Sequence, residues 1–196
     1  MDIEYEATFW PINKDQAREK LRVAGAALIK PEFLQKRKVF NLPKGHEIKG
    51  GWLRVRDEGD KITMSLKVVD GDKIENQKEL CLKVDSFTEA VEFLKTVGCQ
   101  EKAYQETKRE KWEIDDVEIT IDEWPFLEPF VEVEGKSETE VKAVADKLGF
   151  DWSQAMFGAT NTLYAKKYGI DEKFFTDVAP LIIFEMENPF LKFFRK

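Results

Sequence analysis

Apolar and polar residues alternate in several short segments of the chain, a pattern typical of β-strands with one polar face. In residues 3–9, Glu4, Glu6 and Thr8 fall on one face, and apolar side chains fall on the other. The same alternation predicts eight strands, at about residues 2–9, 35–41, 51–58, 61–70, 75–84, 101–113, 116–122 and 127–135. Because the polar faces carry charges of both signs, we predict a closed barrel with a charged lumen.

Helical patterns lie between and after the predicted strands. Asn13 begins one helix as its N-cap, and Ser86 and Ser137 begin two more as the first residues of capping boxes. Each of these helices is expected to end near a glycine, and a fourth is expected at about residues 160–168. The predicted fold is therefore α+β: an eight-stranded antiparallel β-barrel with helices packed outside.

Length and composition fit one domain. The chain has 196 residues, of which 42% are hydrophobic, and its 15 Phe and 5 Trp can build a substantial core. Neither a linker nor an internal repeat divides it. We predict a single domain over residues 1–196, with a core at about 1–170 and an aromatic C-terminal tail at about 171–196.

Charge and residue usage exclude several classes of function. The net charge of −7 argues against nucleic acid as a partner. No apolar run approaches the roughly 18 residues of a membrane span. The two cysteines imply no disulfide framework, which favours a cytoplasmic protein. The single histidine, His46, excludes histidine triads and histidine metal clusters, and no phosphate-binding P-loop motif is present.

The polar faces of the predicted strands carry eleven charged residues. The cations are Arg54, Arg56, Lys67, Arg109 and Lys111, and the anions are Glu4, Glu6, Glu79, Asp122, Glu132 and Glu134. Charges inside a barrel are costly unless they are paired or bind a ligand. Paired carboxylates bind hard cations such as Mg²⁺ or Mn²⁺, and arginines and lysines bind phosphate oxygens. The pattern favours a site for a metal-bound polyphosphate over a barrel whose charges only neutralise one another.

Six motifs, in this order and with this assignment to faces, resemble the CYTH domain family, the triphosphate tunnel metalloenzymes. They are Glu4-x-Glu6, Leu53-Arg54-Val55-Arg56, Ser65-Leu66-Lys67, Lys108-Arg109, Ile119-Thr120-Ile121-Asp122 and Phe130-Val131-Glu132-Val133-Glu134. The resemblance covers roughly residues 1–170. The family includes class IV adenylyl cyclases, thiamine triphosphatases and inorganic triphosphatases.

The resemblance implies a metal-dependent phosphohydrolase or cyclase that acts on inorganic triphosphate, thiamine triphosphate or ATP. Its implied metal ligands, for Mg²⁺ or Mn²⁺, are Glu4, Glu6, Asp122, Glu132 and Glu134. Its implied triphosphate-binding residues are Arg54, Arg56, Lys67 and Arg109. Glu79 is expected to orient the basic groups or a water molecule, and the implied catalytic residues are Glu79, Lys67 and Arg109.

The chain departs from the family pattern at Thr8, where the family carries a lysine. This departure supports an alternative, a non-catalytic module that binds a triphosphate or another polyanion. A basic residue of the segment 35–40 is a candidate to replace the missing charge, and Lys166 or Lys167 is a candidate for a lysine that the family places on a C-terminal helix. The sequence leaves open hydrolysis or cyclisation, the substrate and the oligomeric state.

Overall fold

One antiparallel sheet dominates the computed structural model, which describes residues 1–172, 175 and 179–193. Its strands are β1 (Asp2–Ile3), β2 (Tyr5–Phe9), β3 (Ala27–Asn41), β4 (Gly51–Asp57), β5 (Ile62–Val69), β6 (Gln77–Val84), β7 (Gln100–Ile114), β8 (Val117–Glu123), β9 (Phe130–Gly135) and β10 (Leu181–Ile182). The first nine follow the order β1-β6-β5-β4-β3-β7-β8-β9-β2, and β10 lies parallel to β7.

The N-terminal segment closes the sheet into a barrel. Strands β1 and β2 are consecutive pieces of one segment, separated at Glu4. Asp2 of β1 lies opposite Glu79 of β6, and Glu6 of β2 lies opposite Glu134 of β9. One short segment therefore pairs with both ends of the sheet order. With β1 and β2 counted together, the barrel contains the eight predicted segments, and the predicted fold class is confirmed.

The helices are α1 (Lys14–Ala24), α2 (Phe87–Thr96), α3 (Glu138–Lys147) and α4 (Asn161–Tyr168), with 3₁₀ turns at Ile74–Asn76, Trp152–Gln154 and Leu191–Phe193. The Asn13 side chain accepts hydrogen bonds from two backbone amides at the start of α1, and Ser86 and Ser137 each accept one. All four predicted helices are confirmed. Within the described residues, no helix is long and apolar enough to cross a membrane.

Two of the three apolar clusters among the described residues lie on the outer face of the barrel, whereas the third lies beside the cavity, which its Trp124 and Phe175 line. The fully buried Ile119 and Val133 contribute to a cluster with Val141 of α3, and Val55 contributes to a second cluster with Leu94 of α2. A third cluster contains Trp124, residues of α4 and Phe190 from the C-terminal segment. Because successive strand residues point to opposite faces, this outer core leaves the charged positions facing the lumen.

One local prediction was wrong. Strand β3 begins at Ala27 rather than near residue 35, because irregularities in its pairing with β7 on both sides of Lys30 hide the alternation. The connection from β5 to β6 spans residues 70–76 and includes a 3₁₀ turn. Part of the predicted tail, residues 173–174, 176–178 and 194–196, lies outside the described residues.

Candidate functional site

The barrel encloses a cavity of about 1050 Å³. Its wall includes ten of the eleven predicted lumen charges, namely Glu4, Glu6, Arg54, Arg56, Lys67, Glu79, Arg109, Lys111, Glu132 and Glu134. The eleventh, Asp122, is fully buried and bonded to Arg109. The fold thus brings together at one cavity the charged residues that strand alternation predicted to face the lumen.

Arg109 on β7 binds two of the predicted metal ligands. Its Nε and Nη2 atoms each lie 2.7 Å from an oxygen of Asp122, and Nη2 lies 2.6 Å from Glu132 Oε2. Although burial opposes the shift, the two carboxylates raise the pKa of Arg109 well above its ordinary value. Burial, together with nearby Glu6 and Asp122, raises the pKa of Glu132 well above its ordinary range. Asp122 is therefore the better anchor for Arg109.

A second charge network joins the N-terminal segment to β4, β5 and β6. Lys67 Nζ lies 2.9 Å from Glu4 Oε2 and 4.0 Å from Glu79 Oε2, and Arg54 Nη2 lies 3.0 Å from Glu79 Oε1. Burial raises the pKa of Glu4 to about 7, against the effect of Lys67 and with help from a hydrogen bond to Glu79. Burial opposes the shift at Glu79, but this hydrogen bond, Lys67 and Arg54 lower its pKa.

Glu6 and Glu134 face each other across the β2–β9 pair. Burial raises the pKa of Glu6 to about 7; Lys67 opposes this shift, and Glu134 and Glu4 increase it. Carboxylates that are held close together in this way fit a hard divalent cation, which would relieve their repulsion. Among the described residues, however, no three acidic, cysteine or histidine side chains converge as a ready-made metal site.

Arg37 on β3 is a cavity residue that sequence reasoning identified only as one of several basic candidates. It is 6% exposed, and its guanidinium lies 4.7 Å from the centre of the Trp124 ring. Its neighbours do not reach the cavity wall: Lys36 is exposed and Lys38 pairs with Glu101 at 2.9 Å. Arg37 lies within the predicted strand at 35–41, but alternation did not single it out because Lys36, Arg37 and Lys38 are consecutive basic residues.

Glu58 and Glu118 also belong to the charge networks around the cavity. Arg56 Nη2 lies 2.7 Å from Glu58 Oε1, and Lys111 Nζ lies 2.8 Å from Glu118 Oε2. Burial lowers the pKa of Arg56 to about 10, and Arg54 and Arg109 add to the shift. Glu58 was missed although the predicted strand at 51–58 includes it on the same face as Arg54 and Arg56, so the same alternation could have identified it.

Thr8 of β2 lies opposite Glu132 of β9, on the face that alternation predicts. Its side chain is covered by residues of the segment 156–163. Its backbone N–H and C=O bond to those of Met156, both at 2.9 Å. Thr8 therefore lines a separate space of about 10 Å³ beneath residues 156–163 rather than the main cavity wall. The two candidate helix lysines also lie elsewhere: Lys166 stacks on Trp10, and Lys167 binds Glu128.

Comparison with solved structures identifies the same fold in other proteins. A conserved hypothetical protein from Pyrococcus furiosus aligns with a TM-score of 0.68 and 20% identity, over 82% of this chain and 99% of its own. A "putative adenylate cyclase" from Vibrio parahaemolyticus aligns with a TM-score of 0.71 and 12% identity, over 84% and 98%. A "putative adenylyl cyclase" from Hippeastrum, described as having a dominant triphosphatase activity, aligns with a TM-score of 0.55 and 14% identity, over 86% of this chain and 96% of its own.

No curated protein matches the sequence significantly. The family match is decisive instead, because residues 3–163 match the CYTH domain and this range contains the eight barrel segments except for Asp2. It also contains the ten cavity charges and Asp122. With the closed barrel and its charged lumen, this match shows that the chain belongs to the CYTH domain family.

Proposed function

We propose that this protein is a metal-dependent enzyme that hydrolyses a triphosphate compound bound in the barrel cavity. The observation that carries the proposal is the lining of one cavity by opposed sets of cations and carboxylates. Arg54, Arg56 and Lys67 extend from β4 and β5, and Glu132 and Glu134 extend from β9. Such a lining suits a linear polyanion that brings a cation with it.

The arginines and lysines of the wall would bind the phosphate chain. Arg54 and Arg56 lie one strand pleat apart on the same face, and their buried Nε donors have no acceptor. Phosphate oxygens would satisfy these donors through charge-assisted hydrogen bonds. Glu79, ionised between Arg54 and Lys67, would hold the two cations in position for the ligand.

The carboxylates opposite them would hold the metal. Glu6 and Glu134 are the strongest candidates, because within the described chain neither forms an ion pair, whereas Asp122 and Glu132 bind Arg109. A bound Mg²⁺ or Mn²⁺ would withdraw charge from the phosphoryl group that is attacked. Binding would also release the proton that Glu6 holds below pH of about 7.

Hydrolysis is preferred to cyclisation because the charged wall can account for a bound phosphate chain, whereas no group among the described residues is assigned to a nucleobase. The dominant triphosphatase activity named for the Hippeastrum protein, which shares the fold, is in line with this choice. Cyclisation would additionally require the sugar hydroxyl to be held against the first phosphate, and no residue of the wall is assigned to that task.

A non-catalytic polyanion-binding module is the second candidate. It is favoured by the bidentate bond between Arg109 and Asp122 and by the absence, among the described residues, of three converged metal ligands. A module of this kind would bind a triphosphate through Arg54, Arg56 and Lys67 without breaking it.

A turnover screen separates these functions. Tripolyphosphate, ATP and thiamine triphosphate are incubated with Mg²⁺ or Mn²⁺, and orthophosphate, pyrophosphate and cyclic AMP are quantified. We expect metal-dependent orthophosphate release, lowered about 100-fold or more by Glu134→Gln with the fold intact. Glu92→Gln, which changes an exposed carboxylate of α2, should leave turnover unchanged.

The other outcomes are equally informative. Tight tripolyphosphate binding without turnover under either metal would favour the binding module. If no metal shifts the melting temperature and nothing is bound or hydrolysed, the charges of the lumen only neutralise one another and the proposal fails.

A further inference from the structure

Within the described part of the chain, Arg37 is a buried cation without a carboxylate partner. Its Nη2 atom donates to Gln35 Oε1 at 3.0 Å and to Thr107 Oγ1 at 2.5 Å, and both of these partners are neutral. Among the residues that the structure describes, no carboxylate lies within ion-pair distance of it. A buried charge in this situation is costly unless a ligand compensates it.

The surroundings of Arg37 increase this cost. Arg56 lies directly opposite it on β4, and Arg54 is also close enough to act on it. Burial, followed by the repulsion of these two arginines, lowers the pKa of Arg37 well below its ordinary value. Arg54 and Arg56 each have a carboxylate partner, Glu79 and Glu58 respectively. Asp122 opposes the shift in the pKa of Arg37 from a distance, but no ion pair within the described part of the chain balances the charge of Arg37.

The geometry of Arg37 suits an oxygen anion. Its Nε atom is buried without an acceptor, as are those of Arg54 and Arg56, and all three arginines line the cavity. The Trp124 ring beneath its guanidinium and the two hydrogen bonds from Nη2 fix the side chain in place. A rigid guanidinium with a free donor at a cavity wall is prepared for binding rather than for packing.

We propose that Arg37 is a third anion-binding arginine of the cavity, which together with Arg54 and Arg56 holds the phosphate chain of the ligand. The inference rests on the proposed function only in that the ligand is a polyphosphate; it does not require turnover. Gln35 and Thr107 are positioning residues, since their oxygens orient the guanidinium from behind.

Arg18 shows how an arginine with a structural role differs from Arg37. Arg18 binds the buried Glu110 with Nε at 3.0 Å and Nη2 at 2.8 Å, which anchors α1 to the barrel. Removal of such an arginine leaves a buried carboxylate unpaired and destabilises the fold. Removal of Arg37 leaves no carboxylate unpaired, so the unliganded protein should lose little stability or gain some.

The test measures tripolyphosphate binding by titration calorimetry without metal, so that hydrolysis plays no part, together with the melting temperature of each unliganded variant. Arg37→Gln removes the charge, and Arg37→Met provides a second neutral side chain that can pack on Trp124. Lys38→Gln is the matched control, because it removes one positive charge from the next residue of β3, on the opposite face. Arg37→Lys restores the charge without the planar donor group.

We expect both neutral variants to bind tripolyphosphate about 10- to 100-fold more weakly, with an unliganded melting temperature equal to or above that of the wild type. Lys38→Gln should bind tripolyphosphate with wild-type affinity. The affinity of Arg37→Lys should lie between that of the wild type and that of the neutral variants. The proposal is overturned if the neutral variants keep wild-type affinity, or if they melt much earlier and bind normally once folded. Failure of turnover with preserved binding would count against the proposed enzyme and not against Arg37.

Discussion

At the scale of single residues, the cavity consists of side chains that determine one another's charge state. Glu4 and Glu6 have pKa values raised to about 7, whereas the pKa of Glu79 is lowered although it belongs to the same network. Burial raises the pKa of Glu4 and Glu6, whereas at Glu79 the effect of burial is outweighed by the hydrogen bond with Glu4, together with Lys67 and Arg54. Such opposed shifts are typical of functional sites.

These shifts predict a stability that falls as the pH rises. In the unfolded chain, Glu4 and Glu6 lose their protons near the ordinary pKa of 4.5, but in the folded protein they keep them up to about pH 7. Between these values the folded state binds more protons, so its stability decreases with increasing pH. We expect the metal-free protein to lose about 2 kcal/mol for each of these two groups between pH 5 and 8, measured by urea unfolding.

Matched variants identify the source of this slope. Glu6→Gln should make the decrease of stability with pH less steep, and Glu92→Gln on the surface of α2 should leave this decrease unchanged. The lowered pKa of Glu79 acts in the opposite sense, but below the ordinary value of 4.5 and hence outside this window. An unchanged slope in a Glu4→Gln, Glu6→Gln double variant would contradict the assignment.

At the scale of elements, the turns hold the strands at the distances that the cavity requires. The β7–β8 turn uses Asp115 and Asp116 with φ of 54° and 60°, which are the positive φ angles of a two-residue hairpin turn. At the start of β4, Gly50 has a φ of 70°, and an added Cβ would lie 1.9 Å from Val69 O. Gly50 and Val69 both line the cavity, so this close approach brings β4 and the end of β5 together at its wall.

Gly50→Ala should therefore destabilise the protein by more than about 2 kcal/mol, because the backbone of β5 must move. Gly45→Ala is the control: its φ is 86°, but no atom lies within 4 Å of the added Cβ, so it should cost only about 1 kcal/mol. Thermal unfolding of the two variants measures the difference. Equal losses would mean that the strained backbone, and not the contact with Val69, decides the cost.

At the scale of the whole molecule, the C-terminal segment supports one side of the barrel. Its strand β10 pairs with β7, and the fully buried Phe190 contacts the rings of Tyr164 and Phe175 at centroid distances of 5.0 and 5.8 Å. These residues belong to the same cluster as Trp124, which lines the cavity. The segment lies beyond the matched family range of 3–163, so it extends the common barrel.

Phe190→Ala should destabilise the protein by about 3–5 kcal/mol, because it leaves a cavity among aromatic rings. Phe193→Ala, three residues further on and 36% exposed, should have an effect within about 0.5 kcal/mol. Urea unfolding of both variants tests whether the C-terminal segment belongs to the cooperative fold. A small effect from Phe190→Ala would show that the barrel is stable without the segment.

The sequence by itself determined which residues face the lumen and where the helices begin. Alternation along a strand and helix capping are local properties, so Glu132 and Glu134, or Ser86 and Ser137, could be assigned without knowledge of the rest of the chain. The closed barrel followed because several charged faces need a shared interior. This reasoning failed where pairing irregularities hide the alternation, as in the first half of β3.

Only the tertiary structure decided which charges meet and which are covered. The ion pair of Lys67 with Glu4, the contact of Arg37 with Trp124 and the backbone bridge between Thr8 and Met156 all join residues that are distant in sequence. They depend on strand register and on the packing of the segment after α3, which no local pattern specifies. The sequence thus determined the set of lumen charges, and the fold divided them into charges that balance one another and charges left to bind a ligand.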